Sequence, residues 1–112
     1  MSTTVQTDAM VVLRPVLSRL VAGFHPEQIW LFGSRAEARA REDSDWDLLM
    51  VLPDDTPRGF LEATTVWDAI RGFDIPIDVV PCMLREFEEE KTELDSLPRA
   101  AIERGRLLYV RS

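Results

Sequence analysis

A chain of 112 residues lies in the commonest size range of a single domain, so one core is expected and no second domain. Its 46% hydrophobic share excludes a disordered chain, and its formal charge of −7 disfavours a general nucleic-acid binder, since no basic patch outweighs the acidic surface. The single cysteine, Cys82, rules out an intrachain disulfide, no apolar run approaches the roughly 20 residues of a membrane span, and the N-terminus lacks the basic start and apolar core of a signal peptide, so a cytoplasmic protein is expected.

Residues 1–7 are small and polar and are expected to be a flexible N-terminus, with the domain running over 8–112. From Asp8, a suitable cap, Met10, Leu13, Leu17, Leu20 and Val21 recur at helical spacing, and Gly23 suits the stop. Pro15 inside this span predicts a kink or marks the true first turn. Residues 28–32 (Gln-Ile-Trp-Leu-Phe) are β-branched and aromatic and read as a strand covered on both faces, bounded by Gly33. The run after Ser34 is rich in helix formers and predicts a short helix with Ser34 at its N-cap.

Asp47 to Leu52 reads as a second strand, closed by Pro53. Thr56-Pro57 starts a helix reaching about Arg71, with Phe60, Leu61, Thr64, Trp67 and Ile70 inward and Gly72 as its end. A third strand is expected over Ile75 to Val80, with Pro76 tolerable near its start. Met83–Leu94 predicts a helix with Phe87 and Leu94 inward and Glu88-Glu89-Glu90 outward; Ser96 caps a last helix through Glu103, stopped by Gly105, and Arg106 to Val110 closes the chain as a strand. The alternation places the fold in the mixed α/β class: one small mixed sheet flanked by helices.

Two stretches carry chemistry. A Gly33-Ser34 turn can offer backbone N–H groups and a hydroxyl to an anion such as phosphate. Asp45 and Asp47 are two apart, so on a strand both leave one face, and a divalent cation would resolve their repulsion. Asp78 is the one acidic residue inside the third strand; beside the second strand it would complete a three-carboxylate cluster able to hold two Mg²⁺ ions for an in-line phosphoryl displacement. The chain's acidity does not exclude a nucleotide ligand, because bound Mg²⁺ reverses the local field.

Gly33-Ser34, ten residues, Asp45-x-Asp47 and a later strand Asp resemble the minimal nucleotidyltransferase domain of the DNA polymerase β-like superfamily. Trp30-Leu31-Phe32 before the turn, Ser44 before the first Asp, Leu48-Leu49 after the second and the ending Gly105-Arg-Leu-Leu-Tyr109 extend the likeness over most of residues 10–110. The resemblance implies that Gly33 and Ser34 contact the triphosphate, that Asp45, Asp47 and Asp78 hold Mg²⁺, and that Asp78 helps activate the acceptor hydroxyl. It implies transfer of a nucleoside monophosphate from an NTP, with ATP as the donor expected here. Relatives often carry Arg and Gly where this chain has Glu37 and Ala38. Stand-alone members commonly pair with a small helical HEPN toxin, some placing AMP on it, so a protein acceptor and an antitoxin role are expected, with a homo- or hetero-oligomer. Larger relatives carry a further domain that grips the acceptor, for which this chain has no room. Glu37 and Ala38 leave room for a second reading, a module that neutralises its partner by contact alone, and transfer to a small hydroxylated molecule such as an aminoglycoside is a third.

The neighbouring residues have plainer readings. An EF-hand would need Gly and Glu where Leu48 and Asp54 stand, which argues against calcium. Arg35 reaches phosphate or braces the acidic cluster. Trp46 faces away from the aspartates, Trp30 and Trp67 belong to the core, His25 is a surface residue, and Cys82 is inert.

Overall fold

In the computed structural model, residues 4–112 are described, with side chains from Ala9 onward. Helix α1 spans Thr4–Phe24 and strand β1 Gln28–Phe32; β2 (Trp46–Leu52) follows a long connection. A 3-10 turn (Arg58–Leu61) and helix α2 (Ala63–Ile70) lead to β3 (Ile77–Met83), helices α3 (Leu84–Glu90) and α4 (Leu97–Arg104), and β4 (Arg106–Val110).

The stripe Ala9, Leu13, Val16, Leu17, Leu20 and Phe24 recurs every three or four residues on α1 and is buried throughout. The helix begins four residues before Asp8, the expected start; residues 1–3 of the expected flexible N-terminus, and the side chain of Asp8, lie outside the described residues. Pro15 stays inside the helix. It is exposed, and so is Val11, whose carbonyl loses its usual partner, so water can satisfy that carbonyl.

The sheet is mixed, in the order β3-β2-β1-β4. β1 pairs antiparallel with both β2 and β4, and β2 pairs parallel with β3. On one face Ile29, Leu31, Leu48, Met50, Leu52 and Val79 pack with α1 and α2 in the main core. On the other, Leu49 and Val51 pack with Phe87 of α3 and Ala101 of α4, and Trp30 stacks on Phe87 with ring centroids 6.2 Å apart. Both faces of β1 are thus covered, but unequally: Ile29 and Leu31 are fully buried, Trp30 and Phe32 half-buried.

Several further elements differ from expectation. The helix expected over 56–71 is broken at Glu62, whose extended backbone ends the 3-10 turn and caps α2; this rotates Trp67 outward to 58% exposure, and Val66 takes the core position. β3 starts two residues late and runs through Pro81, which is tolerated because β3 is an edge strand. α3 ends at Glu90, so Leu94, expected inward, is 80% exposed. Gly105 caps α4 with extended backbone, not a left-handed turn; a Cβ there would strike the Ala101 carbonyl and lie 2.5 Å from that of Leu31, so close approach to β1 excludes a side chain. Ser96 caps α4 as expected, accepting from the Arg99 amide at 3.2 Å.

Candidate functional site

The strand register assembles one corner of the sheet. Phe32 at the end of β1 lies opposite Asp47 on β2, and Asp47 lies beside Asp78 on β3. Gly33 follows Phe32 directly and therefore sits over Asp47: a Cβ at position 33 would come within 2.5 Å of Asp47 Oδ2. Asp45 precedes β2 by one residue and shares the parity of Asp47. These carboxylates lie on the face of Leu49, Val51 and Val80, opposite the main core.

Asp47 is half-buried, whereas Asp45 and Asp78 are exposed. Burial, then the charge of Asp78, then that of Asp45 raise the Asp47 carboxyl above its ordinary value of 3.8. Both neighbouring acids therefore act on Asp47. Among the described residues, however, no three His, Cys, Asp or Glu side chains converge closely enough to hold a metal ion as they stand. Their chemistry fits a hard divalent cation, which takes carboxylate oxygens and relieves the repulsion that raises Asp47.

The turn after β1 is a single helical turn. The amides of Ala36 and Glu37 donate to the Gly33 carbonyl at 3.0 and 3.2 Å, and that of Arg39 to the Ser34 carbonyl at 3.0 Å. The helix expected here does not continue, because Ala38 takes φ +60° and ends it. Gly33, at φ +76°, opens the same turn. Among the described backbone bonds none uses the amides of Ser34 or Arg35, which leaves two donors beside the carboxylates for an anion. Glu37 turns away to Arg39 and Arg104, at 3.2 and 3.8 Å, so its charge is offset locally.

Arg35 is committed elsewhere. Its Nε and Nη2 donate to the Ser44 carbonyl at 3.3 and 3.0 Å, and Nη2 also to that of Glu42 at 3.2 Å. Its guanidinium lies 4.3 Å from the ring centroid of Trp46, which is buried in the main core. The partnership of Arg104 with Glu37 had no sequence signal, the two being far apart in the chain. Cys82 is half-buried beside Glu86 and Glu90, and burial first, then those charges, push its thiol up to about 12. His25 is exposed, as expected. No described helix is long and apolar enough to cross a membrane.

Comparison with known proteins shows the family and the fold. Residues 12–108 match the family model described as "Nucleotidyltransferase domain". A crystal structure from Sulfolobus solfataricus, provisionally named a nucleotidyltransferase, superposes with TM-score 0.57 at 23% identity, covering 96% of this chain and 86% of that one; it shares the fold. No curated protein matches the chain.

Proposed function

Because the chain belongs to the nucleotidyltransferase domain family, we propose that it transfers AMP from ATP to a hydroxyl group of a partner protein in a Mg²⁺-dependent reaction. One observation carries this reading: the parallel register that sets Asp47 beside Asp78, under a Gly33-Ser34 turn whose Ser34 and Arg35 amides enter none of the described backbone bonds.

In this reading the Ser34 and Arg35 amides and the Ser34 hydroxyl take the phosphates, and Gly33 lets them approach Asp47 without a side chain intervening. Asp45, Asp47 and Asp78 would hold the Mg²⁺ ions, which when bound neutralise the triphosphate and favour a deprotonated acceptor. In the same reading Asp78, exposed on the edge strand, accepts the proton of the incoming hydroxyl. Because Asp78 is exposed on an edge strand, a macromolecular acceptor has access to it. A small helical HEPN toxin is the partner that the family likeness favours, with this chain as its antitoxin.

Incubation with ATP labelled at the α-phosphate and the partner toxin should label the toxin, and Asp45→Asn or Asp47→Asn should abolish labelling. Transfer that survives both substitutions would remove the site assignment. The second reading, a module that acts by contact alone, is kept open by Glu37 and Ala38, which stand in the anion-facing turn. Calorimetry with Mg-ATP separates the two: no heat, with or without partner, favours contact alone.

A further inference from the structure

Asp45 stands outside β2 on an exposed connection, yet both of its neighbours in the chain are fastened. Ser44, before it, gives its carbonyl to Arg35 at 3.0 and 3.3 Å, and its hydroxyl and amide close a tight turn with Arg41 at 2.8 and 3.1 Å. Trp46, after it, donates its amide to the Pro76 carbonyl at 2.8 Å and lays its ring under the Arg35 guanidinium. One side chain therefore touches both flanks of Asp45. That side chain leaves the chain two residues after Gly33, within the anion-facing turn.

We propose that the Arg35 side chain positions Asp45, acting through the Ser44 and Glu42 carbonyls and the Trp46 ring, and that its guanidinium is not a phosphate contact. The proposal rests on the nucleotidyl-transfer reading for the purpose of Asp45, but the bracing is a property of the loop itself. Alternation along β2 sends Trp46 to the main-core face and Asp47 to the opposite one, so a guanidinium stacked on Trp46 lies across the strand from the carboxylates. The planar fork suits this place: it covers an aromatic ring with one face while donating in its plane to two carbonyls, which an ammonium on a flexible stem does not reproduce. Arg35 thereby ties the anion-facing turn to the start of β2, so the two arms of the site keep a fixed spacing.

The discriminating variant is Arg35→Lys, which keeps the charge and loses the fork, with Trp46→Phe as a second variant that keeps an aromatic ring. Bracing predicts that Arg35→Lys raises the Mg²⁺ concentration for half-maximal transfer by roughly 10-fold or more, as loss of a residue supporting a metal ligand does, while KM for ATP at saturating Mg²⁺ stays within about twofold. A raised KM for ATP at unchanged Mg²⁺ dependence, or wild-type Mg²⁺ dependence in Arg35→Lys, overturns it. Hydrogen exchange tests the bracing even if the wild-type chain transfers nothing. In Arg35→Lys the Arg41, Ser44 and Trp46 amides should exchange faster while those of β1 are unchanged. Trp46→Phe should give a milder version of the same pattern. Unchanged exchange at those three amides in Arg35→Lys overturns the proposal, and an inactive wild type with the expected exchange pattern removes only the functional reading.

Discussion

Gly33 and Asp47 occupy one another's space: the carboxylate Oδ2 of Asp47 lies 2.5 Å from where a Cβ at position 33 would stand, and Gly33 itself has φ +76°. The pair joins the anion-facing turn to the carboxylates without any hydrogen bond between them. Substitution here meets two penalties, a left-handed backbone and a collision with a half-buried acid.

Gly33→Ala should therefore destabilise the fold by about 1–3 kcal/mol, the range for a strained backbone at a site where the neighbour must also move. Thermal melting reads the loss, and transfer activity should fall further than stability, because Asp47 is displaced. A variant that melts and reacts like the wild type would show that the turn relaxes freely.

Ala38 presents the opposite case. It holds φ +60°, and a non-glycine residue there costs about 1–2 kcal/mol of strain. Ala38→Gly relieves the strain but adds about 0.4–1 kcal/mol of unfolded-state entropy, leaving a net gain of about 0.5–1 kcal/mol. The melting temperature should rise by a few degrees; a fall would mean that the turn is not left-handed at this residue.

The raised Asp47 carboxyl gives a pH signature. Between its ordinary value of 3.8 and its raised value, the folded chain still holds a proton that the unfolded chain has lost. Native stability from this residue thus falls as pH rises through that window, and the penalty persists at neutral pH. Asp47→Asn should melt above the wild type at pH 7, with the advantage vanishing as pH drops below the ordinary carboxylate value. A variant that melts lower at pH 7 would refute the burial-and-repulsion account.

Cys82 should be unreactive in the native state. With its thiol pushed up to about 12, the thiolate is a trace species at pH 8. Iodoacetamide should leave the folded chain unmodified over a time that fully alkylates it in denaturant, and equal rates in both would contradict the burial.

The local elements were legible wherever a local cause sets them. β1 ends at Gly33 because the chain must turn left-handed there, β4 follows Gly105, and Ser96 caps α4, all as the residue types imply. The helix expected after Ser34 failed because propensity over a few residues does not outweigh Ala38, whose φ is set by the connection to β2. The outward turn of Trp67 was hidden for a similar reason: a break at Glu62 rotates everything after it, and a periodic pattern shows the spacing of apolar residues but not such a break.

By itself the amino-acid sequence determined the mixed α/β class, the glycine turn and the two-residue spacing that sets Asp45 and Asp47 to one side, since these follow from backbone sterics and strand alternation. Only the tertiary structure decided that β3 lies parallel to β2 in the register that pairs Asp78 with Asp47, and that Arg35 stacks on Trp46 and not toward the acids. Register and stacking depend on burying β2 against its neighbours and on α2 crossing the sheet between β2 and β3, long-range packing that no short window of residues contains.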